Sequence, residues 1–146
     1  MLNNRSIHII LVILSALCSL SANAQGLIRF RNITVDDGLS MGTITDFEKD
    51  HNGYIWIATA EGLHRYDGKY FKILKHSDGI KNSLSDSYIH DILSFNKILY
   101  VGTNLGTVDM VNESDYSVRH LDLRKYDSTF DHAISHLLVY QDRIII

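Results

Sequence analysis

Apolar and polar positions alternate along most of the chain in short runs, each ended by turn residues. Residues 54–60, YIWIATA, set Ile55 and Ile57 against Tyr54, Trp56 and Ala58. Both sets are largely apolar, which predicts a strand buried on both faces. Residues 43–50 predict a strand before it, with His51-Asn52-Gly53 as the turn between them. Glu61-Gly62 turns the chain into LHRY, 63–66. Asp67-Gly68, a pair that tolerates positive φ, then predicts a hairpin into KYFKIL, 69–74. Upstream, LIRFRNITV at 27–35 alternates Ile28, Phe30 and Asn32 with Arg29, Arg31 and Ile33, and reads as one further strand before Asp36-Asp37-Gly38.

The pattern recurs. LSMGTITDF at 39–47 and LSDSYIHDI at 84–92 match at Leu39/Leu84, Ser40/Ser85, Ile44/Ile89 and Asp46/Asp91, an offset of 45. IWIATAEG at 55–62 and LYVGTNLG at 99–106 match at Ile55/Leu99, Trp56/Tyr100, Ile57/Val101, Thr59/Thr103 and Gly62/Gly106, an offset of 44. One residue is therefore missing from the intervening turn of the second copy. A third copy starts near Ile134, where ISHLLVYQDRIII follows IHDILSFNKILY, 89–100. Four short strands per period, with turn signals every ~8–12 residues, is the spacing of a β-propeller blade.

The expected fold is all-β: a partial propeller of two four-stranded blades, the start of a third, and a closing strand. The expected divisions are 25–38 for the closing strand, 39–83 and 84–132 for the blades, and 133–146 for the truncated third. Asp50, Gly53, Trp56, Thr59, Gly62, Asp67 and Gly68, with Tyr100, Gly102, Thr103 and Gly106, form the repeating motif. Recurrence at blade period is what packing predicts, so these residues read as scaffold. Trp56 and Tyr100 would wedge one blade against the next, and the glycines would serve turns. A lone strand ahead of the first blade can complete the last one and remove an exposed edge.

Residues 1–24 are of a different kind. Arg5 gives a positive start, IILVILSALCSL at 9–20 is a 12-residue apolar run, and Ala22-Asn23-Ala24 offers small residues where a signal peptidase cuts. The three features together predict a secretory signal peptide, the run being shorter than the roughly 20 residues of a membrane span. Cys18 would leave with it, so the exported part has no disulfide, thiol nucleophile or cysteine metal site. Without Arg5 it carries 13 Lys and Arg against 17 Asp and Glu, with the positive charges scattered. No basic stripe for nucleic acid is visible. The overall composition, 45% hydrophobic and 21% charged with eight tyrosines and no proline, is that of a globular β protein.

DDGLS at 36–40, D-x-x-G-Y-I-W-I-A-T at 50–59, E-G-L at 61–63 and R-Y-D-G-x-x-F at 65–71 resemble the two-component regulator propeller repeat. The likeness covers about residues 28–146, with Ala58 where that family usually has glycine. The second copy is poorer: it lacks the Asp, Gly and Trp of D-x-x-G-x-x-W, and Asn112-Glu113 replaces the Asp-Gly turn. The resemblance implies the beginning of the periplasmic sensor region of a hybrid two-component system of the Bacteroidetes type. Such proteins typically carry two propellers, a small β-sandwich, a membrane span and a cytoplasmic histidine kinase, and many add a receiver and a DNA-binding region. They sense carbohydrate breakdown products and switch on polysaccharide-utilisation genes. The partners so implied are an oligosaccharide ligand, further blades and kinase of the same polypeptide, and a second copy in a homodimer.

Residue chemistry adds no catalytic, cofactor or metal site. Asp50-His51-Asn52-Gly53 lacks the alternating oxygen ligands and distal Glu of a calcium loop. His132 and His136 are the only histidines at i,i+4 spacing, and two ligands do not make a zinc site. Asp46 and Asp91, at equivalent positions, read as channel-lining carboxylates rather than a glycosidase pair. Loops 75–87 and 124–132 are candidate ligand loops by topology alone. The leading class is a non-catalytic ligand sensor; a secreted propeller enzyme acting on polysaccharide and a protein-interaction propeller are the alternatives. Because propellers close with ~4–8 blades, the natural chain is expected to continue past Ile146. Residues 25–146 alone should then expose blade faces and strand edges and aggregate or stay partly unfolded. A monomeric, cooperative unfolding transition of that segment would refute this expectation.

Overall fold

The four strands expected in the first repeat all form. In the computed structural model, which describes residues 3, 5, 8, 30–40 and 43–146, they are β1 (Ile44–Lys49), β2 (Ile55–Thr59), β3 (Gly62–Tyr66) and β4 (Phe71–Leu74). They pair in sequence order as an antiparallel sheet. The second repeat gives β5 (Ile89–Phe95), β6 (Ile98–Thr103), β7 (Thr107–Asn112) and β8 (Val118–Asp122), again in sequence order. Leu138–Tyr140 (β9) and Arg143–Ile145 (β10) form a hairpin at the third copy.

The lost residue falls at the β1–β2 turn. There Asp50 and Tyr54 are bridged by a backbone bond of 3.0 Å, leaving His51-Asn52-Gly53 at the tip. In the second blade Phe95 pairs directly with Ile98. Its two-residue turn, Asn96-Lys97, has φ of 51° and 65°, the left-handed pair that suits the twist of a tight hairpin. Gln141-Asp142 repeats this at β9–β10, with φ of 47° and 58°.

A single blade of this length has too little apolar surface to bury alone, and the sheets pack face to face. Trp56, Ala58 and Leu63 of the first blade meet Ile89, Ile92, Leu99, Val101 and Val111 of the second, with Leu84 from the connection. Trp56, Leu63 and Leu99 are fully buried, each worth about 1.5–3 kcal/mol of transfer free energy. A second cluster forms where the third copy begins: Val108, Ile134 and Leu137, flanked by Leu93 and Tyr100. Tyr100 thus stands toward its neighbour as Trp56 does toward blade 2. On the far side of blade 1, Phe47 remains 72% exposed and Ile44 46%.

The described chain divides into two units, 1–32 and 33–146. In the first, Arg5 and His8 have helical backbone and residues 30–32 take no regular structure. The expected signal peptide, with Ala22 and Ala24, falls on residues that are almost all outside the described set. No helix among the described residues is long and apolar enough to cross a membrane. The strand expected over 27–35 does not form in its described part. Phe30–Thr34 are irregular and Val35–Asp37 make one 3-10 turn. None of the described strands offers this segment a ladder, and Thr34 instead donates its backbone N–H to Asp37 Oδ2 at 2.9 Å.

Close approach of blades explains the departure at Ala58. A Cβ on Gly102, its counterpart, would lie 2.7 Å from the Ile134 carbonyl oxygen and 2.8 Å from Ile134 Cγ2. Ala58 is itself fully buried in the first inter-blade cluster, so blade 1 has room for the methyl group. Gly102→Ala should therefore destabilise the protein by about 1–3 kcal/mol through overpacking. Ala58→Gly, which costs backbone entropy and one buried methyl group, should lose about 1–2 kcal/mol, less than the clash with backbone at Gly102. Urea denaturation of the two variants checks the order; equal losses would contradict it.

Candidate functional site

The repeat motif resolves into distinct hydrogen-bonded units. Asp50 is buried, and its Oδ1 accepts from the backbone N–H of Asn52 and of Tyr54, both at 2.9 Å. Its Oδ2 accepts from Trp56 Nε1 at 2.9 Å. Gly53, at the tip of the turn, has φ of 89°. Asp, Gly and Trp are thus one structural unit, and the second blade lacks all three together, with Phe95 and Tyr100 in place of Asp50 and Trp56. Both Asp50 oxygens are engaged by N–H groups of the turn and of the strand that follows it.

Thr59 Oγ1 donates to the Gly62 carbonyl at 2.9 Å, and Thr103 Oγ1 donates to the Thr107 carbonyl at 2.9 Å. This corrects the matching of Gly62 with Gly106. Gly62 opens β3 opposite Thr59 with φ of 132°, whereas Gly106 sits inside a three-residue loop with φ of 72°. Thr107 is the counterpart of Gly62, because that loop is one residue longer. The β3–β4 turn is a four-residue loop in which Asp67 Oδ1 accepts from Lys69 N at 2.9 Å and Tyr70 N at 2.7 Å. These amides, Tyr70's first, hold the Asp67 carboxyl below the usual carboxylate range. Only Gly68 of the Asp-Gly pair takes positive φ, 98°. Asn112 keeps the role of Asp67 in blade 2, accepting from Ser114 N at 2.8 Å.

Two further repeating bonds join segments that are distant in sequence. Asp46 Oδ2 accepts from Ile92 N at 3.0 Å, and Asp91 Oδ2 accepts from Leu137 N at 2.5 Å. Each carboxylate reaches the backbone of the following repeat, which is more than lining a channel. The Asp91 carboxyl is pushed up, first by burial and then by its contact with the Asp46 carboxyl. The second bond is internal to each blade. Ser40 N donates to His64 Nε2 at 2.9 Å, and Ser85 N donates to Asp109 Oδ2 at 2.7 Å. His64 is fully buried, and burial, aided by the charge of Lys75, lowers its pKa. The sequence signal was available: a polar residue recurs at an offset of 45 inside a buried strand.

Other contacts have no repeat signature. His51 Nδ1 bonds the buried carboxylate of Glu113, which also accepts from Ser94 Oγ at 2.5 Å. Arg65 stacks over the Tyr54 ring at 4.2 Å and donates to Tyr116 Oη, while Lys72 Nζ lies 3.6 Å from the Tyr116 centroid. His120 Nδ1 donates to Asp109 Oδ1 at 2.7 Å. His132 pairs with Asp131 at the surface, and His136 stands near Asp91. No group of three metal-ligating side chains occurs among the described residues.

Both candidate loops border concave surface. A cleft of about 450 Å³ lies between loop 75–87 and the end of β4, lined by Ile73, Lys75, Asn82 and Ser83 among others. A second, of about 460 Å³, lies between the same loop and His120. A third, of about 340 Å³, is lined by Leu123, Phe130 and residues 132–136 with Ile146. The loop 75–84 is closed at its base by Leu84 N to Lys75 O, 3.2 Å. His76 bonds the Leu84 carbonyl through Nδ1 at 2.8 Å and Asp78 through Nε2 at 3.1 Å, which raises its pKa.

Residues 38–61 match the two component regulator propeller family. Over 82 residues, 56% of this chain, the sequence is 36% identical to Histidine kinase P4 of Formosa agariphila. The fold matches the extracellular domain of a putative hybrid two component system from B. thetaiotaomicron, with a TM-score of 0.66 over 74% of this chain at 18% identity. The chain spans 6% of the length of the first relative and 16% of the second.

His64 makes a pH dependence measurable. Its lowered pKa means that the unfolded chain takes up a proton first as pH falls below about 6.5. The stability it contributes is present above that value and erodes as pH falls toward the folded pKa. His64→Asn should lose stability at pH 7.5 and show a smaller further loss between pH 7.5 and 5.5 than the unaltered chain. Equal slopes in denaturant titrations would contradict the assignment.

Proposed function

We propose, from the premise that residues 38–61 carry the two-component regulator propeller repeat, that this chain is the beginning of an exported ligand-sensing propeller whose output lies elsewhere in a longer polypeptide. The reading places it on the periplasmic side of the membrane, with further blades, a membrane span and a histidine kinase on the same polypeptide. Its ligand would be an oligosaccharide, and its output transcription of genes for polysaccharide use. Support comes from the repeat match, the likeness to a histidine kinase and the shared fold with the extracellular part of a hybrid system. The observation that carries a binding role over catalysis is the engagement of the motif side chains. Asp46, Asp50 and Asp91 accept hydrogen bonds from backbone or indole N–H groups of the scaffold.

In this reading Trp56 and its neighbours are scaffold, and ligand contacts come from the loops. Signalling then requires only that the ligand bind two arrangements of the sensor unequally. Trp56→Ala should cost about 3–5 kcal/mol of stability. In the fraction that stays folded, saccharide affinity should be unchanged, as read by calorimetric titration alongside denaturation. Full stability with lost binding would overturn the scaffold role. Turnover of a glycan that disappears on Asp46→Asn would replace the sensor reading with the enzymatic one.

A further inference from the structure

Blade 2 carries three features that blade 1 lacks, so packing of the repeat does not account for them. Asp109 replaces His64 as the buried acceptor of a Ser N–H. His120 stands directly opposite Asp109 on β8, where blade 1 has Ile73 opposite His64. Ser85 Oγ is buried and has no hydrogen-bond partner among the described residues. A wholly buried carboxylate is costly unless paired, and Asp109 is paired by Ser85 N–H on one oxygen and His120 Nδ1–H on the other. That second bond fixes the imidazole and leaves Nε2 as the nitrogen open to another partner. His120 and Ser85 both line the cleft of about 460 Å³ beneath loop 76–85.

We propose that this cleft is the ligand site of the sensor, with His120 and Lys81 as contact residues for a saccharide. The inference rests on the ligand-sensing reading above. The size falls in the range of small-molecule sites, roughly 300–1,000 Å³. Its walls are hydroxyls, imidazoles, the Lys81 ammonium, the Asp78 carboxylate and backbone, with Ile80 and Leu84 the apolar exceptions. Such a surface suits a ligand dense in hydroxyls. His120 Nε2 exchanges hydrogen bonds with sugar hydroxyls, and the Lys81 ammonium donates to a hydroxyl or ring oxygen. His76 is wall rather than contact, since both its nitrogens are engaged within the loop.

The wall is also preorganised. Ser83 Oγ bonds the carbonyls of Ser77 at 3.1 Å and Ile80 at 2.9 Å inside the loop. Asn82 pins the loop to the second blade, accepting from Val118 N at 2.7 Å and donating to the Tyr116 carbonyl at 3.3 Å. A loop already held in shape loses little entropy when a ligand arrives.

The test uses the full chain and a panel of xylo-, manno-, gluco-, galacto- and uronate oligosaccharides of two to six units, titrated calorimetrically. His120→Asn keeps a donor at the Nδ1 position for Asp109 while removing the Nε2 offered to the ligand, and Lys81→Ala alters only an exposed side chain. Each should weaken the best saccharide by about tenfold with the melting temperature unchanged, and Lys125→Ala, an exposed position outside the cleft, should not. The His120 ring resonances should shift on saturation with that saccharide. Binding that both variants retain within about twofold, with no shift at His120, would overturn this site and leave the sensor reading standing. No binding of any panel member by the unaltered chain would overturn both.

Discussion

The face-to-face burial of one four-stranded sheet against the next is the constraint on which the rest depends. Neither sheet can hide its apolar face alone; Trp56, Leu63 and Leu99 reach zero exposure only because two blades meet. The remaining devices serve that contact. Asp50 satisfies the indole N–H that burial of Trp56 would otherwise strand. Asp46 and Asp91 cap backbone N–H groups of the following repeat across a boundary that has no strand ladder. Gly102 removes a side chain where the Ile134 carbonyl must approach.

The two boundaries are built from the same plan with different parts. Where blade 1 uses the Asp-Gly-Trp unit, blade 2 uses a two-residue left-handed turn, Phe95 and Tyr100. Loss of that unit is accompanied by a shorter turn, so a degenerate repeat still forms a complete sheet. The buried pairing of Glu113 with His51 and Ser94 then ties the turn after β7 to the first blade's turn. Electrostatic contacts of this kind are particular to one boundary, whereas the carboxylate caps recur.

Strand order and the inter-blade role of large residues were legible in the chain because alternation, turn residues and period all pointed to one answer. The missing residue was correctly located between β1 and β2. Three things were not legible. The matching of Gly62 with Gly106 failed because an added residue in the next loop restored the offset, and glycine suits both positive φ values. The strand at 27–35 was read from alternation and as the completion of a last blade; its described part, from Phe30, has no strand beside it among the described residues and forms none. The carboxylates at 46 and 91 looked like channel lining because sequence period reveals equivalence but not direction of a side chain. The Asp109–His120 pair could be found only by asking which polar residues break the repeat.

The central claim is that the two blades open together because neither face is stable alone. Native-state hydrogen exchange on the full chain tests it directly, using Leu99→Ala in blade 2 as the perturbation. The account predicts that exchange of β2 and β3 amides in blade 1, and of the Ile92 amide capped by Asp46, accelerates by the same factor as exchange in β6 and β7. Acceleration confined to β6 and β7, with blade 1 unchanged, would contradict it.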